Sequence, residues 1–164
     1  MTFSELILSV PFIDYCNFVN TGTAPENSLP AEKFEDDLRL LSENGYTGLS
    51  VEQFLDLRKN KKDFPQKCCV IILEGGFLSN FTIAFPILQK FGVHADIFLS
   101  TDFVGLTQHE LYPNFIPHFD WNQAQEMIDS GLVTIYGRWH ESNGGMSGDD
   151  TVARIEADMR RIGG

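Results

Sequence analysis

The residue best placed for chemistry in this 164-residue chain is a carboxylate at the end of an apolar run. The run covers residues 68–73 and is followed directly by Glu74, Gly75 and Gly76. A carboxylate at a strand end can hold a water molecule or act as a general base. It can equally accept backbone N–H bonds, so Glu74 has both a catalytic and a purely structural interpretation.

A second group of candidates lies after the apolar run 132–136. His140 and Glu141 are side chains of the types that bind divalent metals. They stand in a Gly-rich polar stretch, so we favour their interpretation as solvated loop residues. Tyr136 and Trp139 are aromatic and could stack on sugar rings, although aromatic side chains more often pack in a core. Together, Trp139, His140 and Tyr136 form a possible substrate groove.

The hydrophobic periodicity predicts an alternation of strands and helices. The predicted strands are 6–13, 68–73, 93–100 and 132–136, and the segments 17–30 and 101–119 are predicted loops. The predicted helices are 31–44, a helix that begins at a capping box of Ser50 and Gln53, 80–91 with Pro86 marking a kink or a late start, a helix from a second capping box of Asp120 and Gln123 through 128, and a last helix after Asp150.

This alternation predicts an α/β fold with a mostly parallel sheet. Right-handed crossovers would place the helices on one outer face of that sheet. A full (β/α) barrel takes about 250 residues, so four or five strands predict only a partial or distorted barrel. We expect Trp121 to lie in the core.

Composition narrows the classes of partner. The chain has 12 basic and 23 acidic residues, a net charge of −11, which argues against nucleic acid and anionic membranes as partners. An acidic surface suits a neutral or cationic sugar polymer, but we favour a simple role in solubility. Cys16, Cys68 and Cys69 form no disulfide framework and indicate reduced thiols. The first ten residues make a poor signal peptide and no run would span a membrane, so we expect a cytoplasmic location.

Several segments, in the same order along the chain, resemble the polysaccharide deacetylases, the NodB-homology domain of carbohydrate esterase family four. The segments are 33–47, 70–80, 84–90, 95–98 and 121–135. The resemblance implies one deacetylase-like domain over residues 1–164 that lacks the C-terminal part of the family's α/β barrel. Members of that family are often extracellular or attached to the cell surface.

The family's first motif reads Thr-Phe-Asp-Asp-Gly, and the matching residues 72–76 read Ile-Leu-Glu-Gly-Gly. In the family the first Asp is the general base and the second is a metal ligand. The resemblance therefore places Glu74 at the base position and Gly75, which has no side chain, at the ligand position.

The family's second motif carries two metal-binding histidines. The first position matches Arg138, a cation, and the second falls near Ser142 or Asn143. The family's early Tyr-His pair corresponds to Tyr15 and Cys16. Its C-terminal Arg and its general-acid His lie beyond the point at which this chain ends.

In this family a divalent metal such as zinc assists hydrolysis of N- or O-acetyl groups on glycans. The replaced ligands predict an impaired enzyme for which no cofactor is expected. Two alternatives stay open: an active metal-dependent deacetylase with a rearranged site, and a non-catalytic glycan-binding or interaction module. The expected partners are a glycan and a second copy joined through an open sheet edge.

Overall fold

The computed structural model describes residues 10–20 and 28–138. The first part of the predicted strand 6–13 lies outside these ranges, as does everything predicted after residue 138, including the last helix.

In the described part of the chain, seven strands form two sheets. They are β1 (Phe12–Tyr15), β2 (Asn17–Val19), β3 (Ser28–Pro30), β4 (Thr47–Gly48), β5 (Cys68–Gly75), β6 (Ala95–Ser100) and β7 (Val133–Arg138). The main sheet has the order β1-β5-β6-β7, and β4 adds to the amino-terminal end of β5. All of these pairings are parallel, as is the pairing of β2 with β3 in the small sheet.

The helices are α1 (Ala31–Glu43), α2 (Val51–Lys59), α3 (Phe85–Phe91) and α4 (Trp121–Asp129). A single π-helical turn (Asn80–Ala84) precedes α3, and a 3-10 turn (Thr101–Phe103) follows β6. Pro86 lies in the first turn of α3, which begins directly after the π-helical turn, so the α-helix itself starts late in the predicted segment 80–91.

Local capping signals in the sequence are confirmed at both predicted capping boxes. Ser50 and Gln53 cap α2 reciprocally, and Asp120 and Gln123 do the same for α4. At the other end of α3, Gly92 adopts φ +62°, a left-handed conformation that favours glycine and ends the helix.

The sheet is buried on both faces. One face packs on α1, α3 and α4 through residues that include Phe34, Leu88 and Met127. The opposite face packs on α2 through Val51 and Phe54. The expectation that all helices lie on one face is therefore wrong for α2, which covers the face formed by every second residue of β5 and β6.

A buried carboxylate ties α2 to this face. Asp96 is fully buried, and its carboxylate accepts a hydrogen bond from the backbone N–H of Val51 at 2.5 Å. The same carboxylate lies 2.9 Å from the ring Nε2 of His94, which also lies 3.3 Å from the hydroxyl of Thr134. The positive end of a helix stabilises a carboxylate, so Asp96 fixes the start of α2 on the sheet.

The structure differs from the sequence predictions at several places. Within the described residues the first strand begins at Phe12, beyond Pro11, and the predicted loop 17–30 contains the two short strands β2 and β3. The two-residue strand β4 was not predicted. Trp121 is 61% exposed at the first residue of α4, so the expectation that it lies in the core is wrong.

Within the described residues β1 and β7 are the two ends of the strand order and do not pair with each other. The sheet is therefore an open part of a barrel, which confirms the predicted α/β class and the partial barrel.

Candidate functional site

The four parallel strands of the main sheet end at one edge. Tyr15, Gly75, Ser100 and Arg138 are the last residues of β1, β5, β6 and β7. In open parallel sheets ligands bind outside the carboxyl ends of the strands. This carboxyl edge is therefore where the sequence candidates must be judged.

Glu74 lies at the carboxyl edge with an exposed side chain. It is the second-last residue of β5 and pairs with Phe98. Its side chain therefore lies on the same face of the sheet as Phe98, the face that α2 covers nearer the amino-terminal ends of the strands. On the neighbouring strand Asp14 pairs with Ile72 and points to the same face. Two carboxylates thus meet at this edge.

The proximity of the two carboxylates is visible in their electrostatics. Burial, and after it the charge of Glu74, raises the pKa of Asp14. The same two causes raise the pKa of the half-buried thiol of Cys16, which follows β1. Cys16 therefore stays a neutral thiol, and the charge of this edge is carried by carboxylates.

Gly75, which the resemblance places at the family's metal-ligand position, has a backbone conformation that favours glycine. Its φ is +92°. A Cβ added at this residue would lie 2.6 Å from Cε2 and 2.9 Å from Cζ of Phe77. The aromatic ring of Phe77 therefore fills the space that a ligand side chain would need.

The position of Phe77 is fixed by the loop between β6 and α4. Phe77 forms an antiparallel bridge with His118, and the two rings lie 4.8 Å apart. Next to this bridge the N–H of Leu78 donates to the carbonyl of Pro117 at 2.7 Å. On its other side the N–H of Phe119 donates to the carbonyl of Gly76 at 3.2 Å. These contacts hold the ring over Gly75.

A polar network joins the turn after β5 to the segment after β1. The buried side chain of Asn80 donates to the carbonyl of Cys16 at 2.9 Å. The hydroxyl of Ser79 accepts the N–H of Phe18 and donates to the side chain of Asn17. Sequence reasoning missed this network, because partners more than 60 residues apart leave no local signal.

The other predicted site residues fall into two groups. Arg138 ends β7 opposite Ser100, so its backbone is at the carboxyl edge, whereas its side chain lies outside what the structure describes. Trp139 and His140, with Glu141 and the positions near Ser142, also lie outside the described residues. Their roles stay predictions.

Tyr136 lies near the carboxyl edge of the sheet, but neighbouring residues cover its side chain. Its side chain is only 9% exposed, and its ring stacks on Phe98 at 5.2 Å. Burial, and then the charges of Asp96 and Glu52, raise the pKa of its hydroxyl. Tyr136 packs the core below the edge, so it would have to be uncovered before it could contact a glycan.

Neither a metal-binding cluster nor a membrane-spanning helix is present in the described residues. Across 10–20 and 28–138, no group of three or more His, Cys, Asp or Glu side chains is arranged to hold a metal ion. In the same part of the chain no helix has the length and apolar character needed to cross a membrane.

Known proteins share both sequence and fold with this chain. A Bacillus subtilis protein with the provisional name polysaccharide deacetylase YxkH is 36% identical over 86 residues, which are 51% of this chain and 30% of that protein. The poly-beta-1,6-N-acetyl-D-glucosamine N-deacetylase of Escherichia coli K12 is 26% identical over 140 residues, 82% of this chain and 21% of the enzyme. The chain is a relative of the polysaccharide deacetylases.

Solved structures support the fold of this deacetylase relative. A de-N-acetylase from Aggregatibacter actinomycetemcomitans matches with a TM-score of 0.67 at 22% identity, over 79% of this chain and 54% of that one. A polysaccharide deacetylase from Bacillus cereus matches with a TM-score of 0.66 at 20% identity, over 93% of this chain and 47% of that one. No protein-family model matches the chain.

The deacetylase-like chain spans less than a third of the curated relatives and about half of these solved structures. The similarity therefore concerns one part of each of these proteins.

Proposed function

We propose that this chain is a polysaccharide deacetylase-type domain in which hydrolysis of acetyl groups is impaired. The observation that carries the proposal is Gly75: a residue without a ligand atom, at φ +92°, with the ring of Phe77 in the space of a side chain.

The residues at this position do not fit a metal ion. In the family a divalent metal supplies the Lewis acid that activates the acetyl group for attack by water. A zinc-type catalytic site takes about three protein ligands and keeps one open position. Gly75 provides no ligand, and restoring one there requires Phe77 to move.

Glu74 can still bind water or accept hydrogen bonds from a sugar. A general base alone contributes about 10²–10⁴-fold to a rate. Enzymes achieve about 10⁶-fold or more over the uncatalysed reaction, so a carboxylate without further help falls short. This comparison favours loss of hydrolysis over a weakened but useful enzyme.

Zinc affinity and acetate release test the proposal together. Chelator-treated protein is titrated with zinc in a calorimeter and then assayed for acetate release from N-acetylglucosamine oligomers and acetylated xylan, with zinc, cobalt or nickel present. We expect no stoichiometric zinc binding and no release of acetate above the rate with a Glu74→Gln variant.

Tight zinc binding together with acetate release would contradict the proposal. The variant His140→Ala would then show whether the segment after β7 supplies a ligand. His94→Ala is the matched control, because His94 lies beside Asp96, below the carboxyl edge.

A non-catalytic role in glycan binding is the second candidate. It is favoured by a set of aromatic rings in contact that begins at Phe77 and reaches the surface at Tyr112.

A further inference from the structure

Aromatic rings run in contact from the covered ligand position to the surface of the protein. We call this set the aromatic line. Its members are Phe77, His118, Phe103, Phe115, His109 and Tyr112.

Successive ring centroids in the aromatic line are close. From Phe77 to His118 the separation is 4.8 Å, and His118 stacks on Phe115 at 5.1 Å. Phe115 lies 5.6 Å from His109, and His109 lies 4.6 Å from Tyr112. The line therefore connects the edge beside Glu74 with the outer surface of the loop between β6 and α4.

The outer end of the line is open to solvent. Tyr112 is 52% exposed, and its neighbour Leu111 is 78% exposed. The inner end is closed, since His118 is 5% exposed. A ligand would thus contact the line at its outer end, at Tyr112.

The charge around the line has one sign. Residues 73–82 and 99–120 contain Glu74, Asp102, Glu110 and Asp120 but no Lys or Arg. Burial lowers the pKa of His118, so its ring stays neutral beside Phe77. Carboxylates next to aromatic faces attract a cation, because the ring face is also electronegative.

We infer that the aromatic line binds an amino-sugar chain that carries free, protonated amines, in preference to the N-acetylated chain. This inference rests on the proposed relation to glycan-modifying enzymes with hydrolysis lost. Aromatic faces pack on the apolar faces of sugar rings, while Glu110 and Asp102 attract the ammonium groups. A cationic peptide would supply the positive charges but no sugar rings to pack on the aromatic faces.

Calorimetric titration with two oligomers separates these chemistries. Glucosamine and N-acetylglucosamine oligomers of equal length and linkage are compared on the wild-type chain. We expect the free-amine oligomer to bind about fivefold tighter or better, since each exposed cation–ring contact contributes a factor of about 2–5. Added salt should reduce the difference, because the attraction is electrostatic.

Variants place the binding on the aromatic line. Tyr112→Ala should weaken binding of the glucosamine oligomer about 2–5-fold, and Tyr112→Phe should keep the wild-type affinity. Glu110→Gln, a second exposed change with little risk to folding, should weaken it as well. Trp121→Ala is the matched control, because Trp121 is 61% exposed on α4 and outside the line.

Three results would overturn the inference. Equal affinity for the two oligomers would remove the preference for free amines, and an unchanged affinity in Tyr112→Ala would remove the aromatic line. A lysine oligomer of equal charge that binds as tightly would assign the surface to cationic peptides. Acetate release, in contrast, would contradict the proposed loss of hydrolysis without bearing on this preference.

Discussion

A single methyl group at residue 75 tests whether the ring of Phe77 closes the space beside this residue. In Gly75→Ala the new Cβ meets two constraints: the backbone at φ +92° and the ring of Phe77, with Cε2 2.6 Å away. Gly45 separates the two, since it has φ +71° and nothing within 4 Å of an added Cβ. Gly45→Ala therefore reports the backbone cost alone.

The expected magnitudes follow from these contacts. A Cβ on left-handed backbone costs about 1–2 kcal/mol, which is the loss of unfolding free energy expected for Gly45→Ala. Gly75→Ala should lose about 1–3 kcal/mol more, the usual cost of forcing an extra carbon into a filled space. Phe77→Ala removes the ring. When Gly75→Ala is combined with it, the loss of unfolding free energy beyond that of Gly45→Ala should therefore disappear.

The assay is urea unfolding followed by circular dichroism for the wild type, both glycine variants, Phe77→Ala and the double variant. The coupling between residues 75 and 77 should favour the double variant by about 1–3 kcal/mol. If Gly75→Ala costs no more than Gly45→Ala, or if the coupling is zero, the ring does not close the ligand position, and the main support for impaired hydrolysis is lost.

Three further predictions concern the charged and thiol groups near the sheet. Asp96→Ala should lower the unfolding free energy by about 2–4 kcal/mol in urea, because the helix N–H and the imidazole lose their buried partner, whereas Asp96→Asn should lose less. Burial and Glu74 raise the folded-state pKa of Asp14 above 3.8, so ionised Asp14 destabilises the fold. Asp14→Asn should therefore gain stability at pH 7, and a gain that did not shrink as the pH falls toward 3.8 would contradict this cause. Burial raises the pKa of Cys69 to about 11, so iodoacetamide at neutral pH should label the half-buried Cys16 first, as mass spectrometry can show.

Much of the fold was predictable because its signals are local. The two capping boxes, the buried run 68–73 and the glycine after α3 each act within a few residues of chain, and all were confirmed. The strands that were missed have only two or three residues, too few for a periodic pattern. These short strands form because a partner strand lies beside each of them, and no local sequence pattern encodes that partner.

The candidate site was predictable only in part. The position of Glu74 at a strand end follows from the apolar run before it. The filling of the space beside Gly75 does not follow from the local sequence. It requires the positive φ of Gly75, the ring of Phe77 and the bridge between Phe77 and His118, which is 41 positions later in the chain. The role of Asp96 was hidden for a related reason: alternation places it on a polar face, but α2 covers that face.

The fold does not depend on the residues that would perform the chemistry. In β5 the residues from Cys68 through Leu73 are buried and supply the core, while the exposed Glu74 and the terminal Gly75 come after them. A carboxylate at residue 75 would add no core contact, and it would add a third charge to an edge where Asp14 and Glu74 already repel each other. Stability therefore does not oppose the proposed absence of a ligand at this position.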